Sequence, residues 1–263
     1  MQGTVQKVRA PSILDREWIS AVVIVFLIEA AALFIISAVP VPSGIRQTLI
    51  NQYNSLQDIT SAPMLLSALY IFSHNYIIAT VEFIPVIGIA LFAISTASTA
   101  LVVGAVGTST GIAGPAYIFG LFTLPHTWLE LPAYAIGITE SLFLLSAIAR
   151  SLFQGKPINE VPRLVSAWLL VAVELAVAAL FESAEIKLAG INPAYVFITW
   201  LPFIVLLVIV GYVWSQSASM RERAGTMLPK RPESRAALPK PSARTSRRRR
   251  AKTVSARGRG PRG

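Results

Sequence analysis

The sequence predicts an all-α, polytopic transmembrane bundle of about six spans followed by a disordered basic tail. Three observations carry this reading. More than half of the 263 residues are hydrophobic (54%) and only 14% are charged, the composition of a membrane protein. Apolar runs of about spanning length recur along the chain. The charge is segregated: from Arg221 onward there are fifteen Lys and Arg against two acidic residues, while residues 1–220 hold eight against eleven.

The predicted spans are Trp18–Val39, Pro63–Ile84, Val86–Val106, Pro125–Ser146, Leu164–Leu180 and Ala194–Val213. The first is too long for a signal-peptide core, so no cleavable leader is expected. The second and third are separated only by Ile84-Pro85-Val86. Proline lacks an N–H and clashes with the preceding turn, so a tight helical hairpin is expected there. Thr108–Leu124 is apolar but too short to span and is interrupted by Gly111, Gly114, Pro115 and Gly120. Two readings stay open for it: an outer loop with a short interfacial helix, or a re-entrant half-helix that lowers His126 into the bundle. Glu82, just before the Pro85 turn, reads as a solvated inner-interface residue, and Glu182 as an outer-boundary one.

Six spans put both termini on one side. Lys7, Arg9 and Arg16 precede span 1, and Arg150, Lys156 and Arg163 bracket the span 4–5 loop, whereas the opposite loops carry only Arg46 and Lys187. By the positive-inside rule both ends are cytoplasmic, in a multi-pass protein of the plasma membrane. Trp18, Trp168 and Trp214 fall near the inner span ends, where interfacial tryptophans are expected. The chain divides into a transmembrane domain over 1–214 and a tail over 215–263. The tail is rich in Pro, Ser, Arg and Gly and cannot bury enough apolar surface to order itself. Its basic patch, Arg247, Arg248, Arg249, Arg250 and Lys252, suits anionic lipid or nucleic acid, or is simply solvated. The expected partners are the lipid bilayer and other membrane proteins.

No cysteine is present, which excludes disulfides, thiolate nucleophiles and Cys-ligated metals. No HExxH occurs and no Ser or Thr sits in a recognisable nucleophile motif, so an enzyme is the minority reading and no cofactor is expected. The informative residues are polar ones inside apolar runs, because ionisable groups are costly to place there. His126 and Glu130, four apart, share a helix face, which Ala133, Gly137 and Ser141 extend with small residues. Asn75, flanked by His74, lies two turns from Glu82 in span 2. With Glu140 these give a candidate polar centre of His74, Asn75, His126, Glu130 and Glu140; packing of spans 2 and 4 would bring both histidines and Glu130 together. Glu29 falls mid-span in the first run, and Glu174 in the fifth. Between Arg46 and Arg150 there is no Lys or Arg, which leaves the two histidines as the expected cations for the four carboxylates Glu29, Glu130, Glu140 and Glu174.

FSHNYIIATVEFIPVIG (Phe72–Gly88), the small-residue span after it and LPHTWLELPAYAIGI (Leu124–Ile138) resemble the stage II sporulation protein M family. Its members have an Asn-containing helix, a Gly-rich stretch and a Pro-His-x-x-x-Glu motif opening a helix, here Asn75, the 104–120 region, and Pro125, His126 and Glu130. Thr127 stands where the family usually has glycine, and the Asn-Gly pair between the motifs is absent. The resemblance implies an integral membrane protein of five or six helices; its namesake acts in a membrane complex that recruits peptidoglycan-degrading enzymes. The readings are, in order, a membrane scaffold or assembly factor, a small transporter or channel with a His/Glu proton or ion relay, and an intramembrane metal-dependent hydrolase. The paired broken helices expected of an inverted-repeat transporter are absent, which favours the scaffold.

Overall fold

A computed structural model describes residues 15–60 and 62–227. Among these there is no strand. The chain forms α1 (Arg16–Ser37), α2 (Ser43–Thr60), α3 (Met64–Glu82), α4 (Ile87–Thr110), α5 (Gly114–Leu121), α6 (Thr127–Gln154), α7 (Val161–Ile191), a 3₁₀ segment (Pro193–Thr199) and α8 (Trp200–Met227). Six helical stretches are long and apolar enough to cross a membrane: α1, α3, α4, α6, α7 and Pro193–Val213. These are the six runs picked out from composition, each shifted by a few residues except for the longer α6 and α7. At 31 residues α7 is about 46 Å long, more than the ~30 Å hydrocarbon core.

The chain divides into two units between Gly211 and Tyr212. Within the first, α1 packs on α4, α5 and α6, α3 packs on α7, and α6 packs on α7, with α4 contacting α3 and α6. The buried residues of α1 include Val25, Glu29, Leu33 and Ser37, a stripe spaced by four that forms one helical face. The rest of that helix turns outward with Ile19, Val23, Ile24, Leu27 and Ile28, which suits lipid rather than water.

The α3–α4 hairpin turns where the proline predicts. Val86 takes φ 70° and ψ −56°, and Ile87 N–H donates to the Pro85 carbonyl at 2.8 Å, a γ-turn of the strained hand. A side chain at Gly88 would place its Cβ 2.0 Å from the Glu82 carbonyl oxygen, so only glycine lets the chain double back so tightly. Glu82 is therefore not a solvated interface residue. It is fully buried, because the turn folds α4 back over it.

Two elements were not anticipated. α2 occupies the span 1–2 connection, a polar 18-residue helix (SGIRQTLINQYNSLQDIT) whose low apolar content gives no spanning signal. α8 continues from Ser215 to Met227, into the stretch expected to lack structure; Met, Arg, Glu and Ala there are good helix formers. The basic patch Arg247–Lys252 and the remainder of the tail lie outside the described residues, as does the side chain of Trp214. Trp18 is corrected as well. It is buried and donates to Glu140 rather than lying at the lipid interface.

Candidate functional site

Four spans contribute to a central polar cavity of about 120 Å³. Its lining includes Glu29 from α1, His74 and Asn75 from α3, Ser95, Thr96 and Thr99 from α4, and Glu130 and Tyr134 from α6. Asn75 Nδ2 donates to Glu130 Oε1 at 3.0 Å and Tyr134 O–H to the same oxygen at 3.1 Å. Among the described residues Glu29 Oε2 is buried without a hydrogen-bond partner, and so is Oε2 of Glu82. Ser95 Oγ donates to the other Glu82 oxygen at 3.4 Å. Among the described residues no Lys or Arg lines the cavity. His74 sits at its exposed edge, stacked on Tyr70 with ring centroids 6.4 Å apart.

A second cluster forms where α5 turns into α6. Here His126 Nδ1 pairs with Glu185 Oε2 of α7, and Thr199 Oγ1 donates to the other Glu185 oxygen at 3.2 Å. All three are buried. His126 and Glu185 border a cavity of about 590 Å³ whose walls include Tyr53, Tyr117, Leu121, Leu124, Glu182 and Val196. The turn itself is non-helical backbone, yet its carbonyls are satisfied. Thr127 Oγ1 donates to Leu121, Trp128 Nε1 to Phe122 and Trp200 Nε1 to Thr123, at 2.8, 2.9 and 2.8 Å. Irregular backbone covered in this way by protein is the condition for its survival away from water.

The third cluster ties α1, α6 and α7. Arg163 Nε donates to both oxygens of Glu140, at 2.9 and 3.2 Å, and Trp18 Nε1 to Glu140 Oε1 at 2.6 Å. The guanidinium lies 4.7 Å from the Phe143 ring centroid. With the Glu140 side chain fully buried and that of Arg163 6% exposed, this is an internal ion pair.

The five candidate residues therefore belong to three places. His74, Asn75 and Glu130 border the central cavity, His126 belongs with Glu185, and Glu140 with Arg163. The two histidines do not meet. His126 and Glu130 do face one small cavity of about 90 Å³ that also touches Leu33, Thr99 and Thr127, as their shared face requires. The histidines are not the only cations within reach of the carboxylates: Arg163, which sequence order assigns to a loop end, opens α7 and reaches Glu140 of the preceding helix. Sequence reasoning missed Ser95, Thr96 and Thr99, whose hydroxyls read as ordinary small-residue packing, Glu185, which lies past the end of the fifth apolar run, and Thr199, which lies inside the sixth. Spacing on α7 alone carried no sign of Glu185, because its partner is 59 positions away. Among the described residues no group of three or more His, Cys, Asp or Glu is arranged to hold a metal ion.

The model of the family Stage II sporulation protein M matches residues 21–184, a stretch that holds all three polar clusters except Trp18, Glu185 and Thr199. No curated protein and no solved structure matches the chain.

Proposed function

The chain belongs to the stage II sporulation protein M family, and on that premise we propose that it is an integral scaffold or assembly factor of the plasma membrane. In this reading both termini are cytoplasmic, partner membrane proteins dock along α8, and the basic tail adds contact with anionic lipid. The observation that carries the reading is the state of α8. From Leu201 to Gly211 only Phe203 is buried, against Phe181 and Trp200 at ring distances of 5.6 and 5.4 Å. Ile204, Val205, Leu207, Val208, Ile209 and Val210 are all exposed, so a full span leaves nearly its whole circumference to the membrane. It also begins after the region that the family model matches. A span that its own bundle scarcely covers suits a docking element, since helix association within lipid depends on packing against another helix.

A photo-crosslinking side chain at Val208 should give discrete protein adducts in native membranes, while one at Ile94, equally exposed on α4, should label lipid. Only lipid adducts from Val208 would remove the docking role. Orientation has its own test in this cysteine-free chain. A cysteine at Ser43 should react with an impermeant thiol reagent from outside and one at Ser234 should not; the reverse pattern would turn the topology over.

A further inference from the structure

We propose that the central cavity between α1, α3, α4 and α6 is a binding site for a monovalent alkali-metal cation, held by the carboxylates of Glu29 and Glu130 and the hydroxyls of Ser95, Thr96 and Thr99. This goes beyond the scaffold reading and does not depend on it.

Two independent observations point to a ligand. The first is the lining: each of the four helices contributes an oxygen-bearing side chain to it, two of them carboxylates, with the Asn75 amide and the Tyr134 hydroxyl among them. Oxygen ligands are what hard cations take up in place of their hydration shell. The second is Glu29. It is 4% exposed, lines the cavity, and leaves Oε2 without a partner. A buried carboxylate that lacks both partner and counter-charge is costly, and within the membrane region such a group is a functional candidate by default.

Charge decides among the occupants. Glu29 is within electrostatic reach of Glu82 and Glu130, and among the described residues no Lys or Arg lines the cavity. Among the described residues Arg163 is the one buried Lys or Arg, and it is spent on Glu140. Water can complete hydrogen bonds there but cannot balance the acidic groups. An organic ammonium with an apolar body needs more than about 120 Å³, given that ordinary ligand pockets are several hundred Å³. No set of three metal-binding side chains is arranged for a divalent ion among the described residues. Carboxylate, amide and hydroxyl oxygens around so small a space suit an ion of the alkali series.

The test uses the full chain purified in detergent without alkali ions, with thermal unfolding followed at fixed pH and constant ionic strength. N-methylglucamine chloride is replaced stepwise by lithium, sodium or potassium chloride. A ligand that binds only the folded state raises the midpoint in a saturable way, so at least one alkali chloride should do so while N-methylglucamine does not. Glu29→Gln, of nearly the same shape, should abolish the dependence. Thr96→Val keeps the volume and removes one oxygen, and should move the half-saturating concentration up about tenfold, the ratio for one modest contact. It reads the same site should the Gln variant fail to fold. Midpoints that superimpose for all four chlorides would overturn the proposal, as would an unchanged cation response in Glu29→Gln or in Thr96→Val.

Discussion

Arg163→Met should lower the unfolding free energy by about 3–5 kcal/mol, the range for removing one partner of a buried ion pair. The substitution strips Glu140 of its two guanidinium contacts and leaves a carboxylate with no exposed surface, served only by Trp18. The size of the effect comes from the uncompensated charge, and a second substitution shows this. In Arg163→Met with Glu140→Gln the charge is gone while an amide oxygen remains for Trp18 Nε1, so most of the loss should be recovered. A double-mutant cycle by thermal or denaturant unfolding in detergent measures the coupling. Double and single variants of equal stability would mean that the pair is not what holds α6 to α7.

Gly114→Ala should be nearly as damaging, and for a steric reason. At the crossing of α5 with the end of α1, a Cβ on residue 114 would lie 2.0 Å from the Ser37 carbonyl oxygen and 3.1 Å from the Cα of Gly104. All of these are backbone atoms, so relief requires two helices to separate. Overpacking of this kind costs about 1–3 kcal/mol and at times more. It would also disturb the Leu33, Val103 and Ile118 cluster beside it. Gly120→Ala on the same short helix is the control. Its added Cβ meets nothing within 4 Å, and the gain in helix propensity is about 0.5–1 kcal/mol. Opposite signs for the two substitutions locate the effect in the contact. If both behaved alike, α5 would not be packed against α1 as described.

How much of this was legible beforehand differs between the bundle and its interior. Existence and order of the spans follow from apolar length, because each buried or lipid-facing residue answers to the same solvent preference wherever the helix ends up. The hairpin at Pro85 was equally open to reading, since the proline's effect is local. His126 and Glu130 were correctly placed on one face, for helical periodicity is also local. α2 was missed: too polar to register as a span, it carries an amphipathic pattern that went unread, and it packs on α3 and α4.

The pairing of the polar groups was the part out of reach. Glu140 reads as unpaired in sequence, with the whole stretch from Arg46 to Arg150 free of basic residues. Its partner Arg163 comes 23 positions later, at the start of the next helix. His126 and Glu185 are 59 positions apart, and Asn75 and Glu130 are 55. Sequence alone determined that the chain is helical, that six stretches suit a membrane and which residues would be expensive inside it. The cost of burying a charge attaches to the residue and its local surroundings, so it is visible in one dimension. Which carboxylate receives an arginine, which a histidine, and which is left facing a cavity depends on how helices distant along the chain cross. Those crossings are set by close backbone approaches such as Gly114 and Gly104 on Ser37, contacts whose geometry exists only once the bundle is assembled.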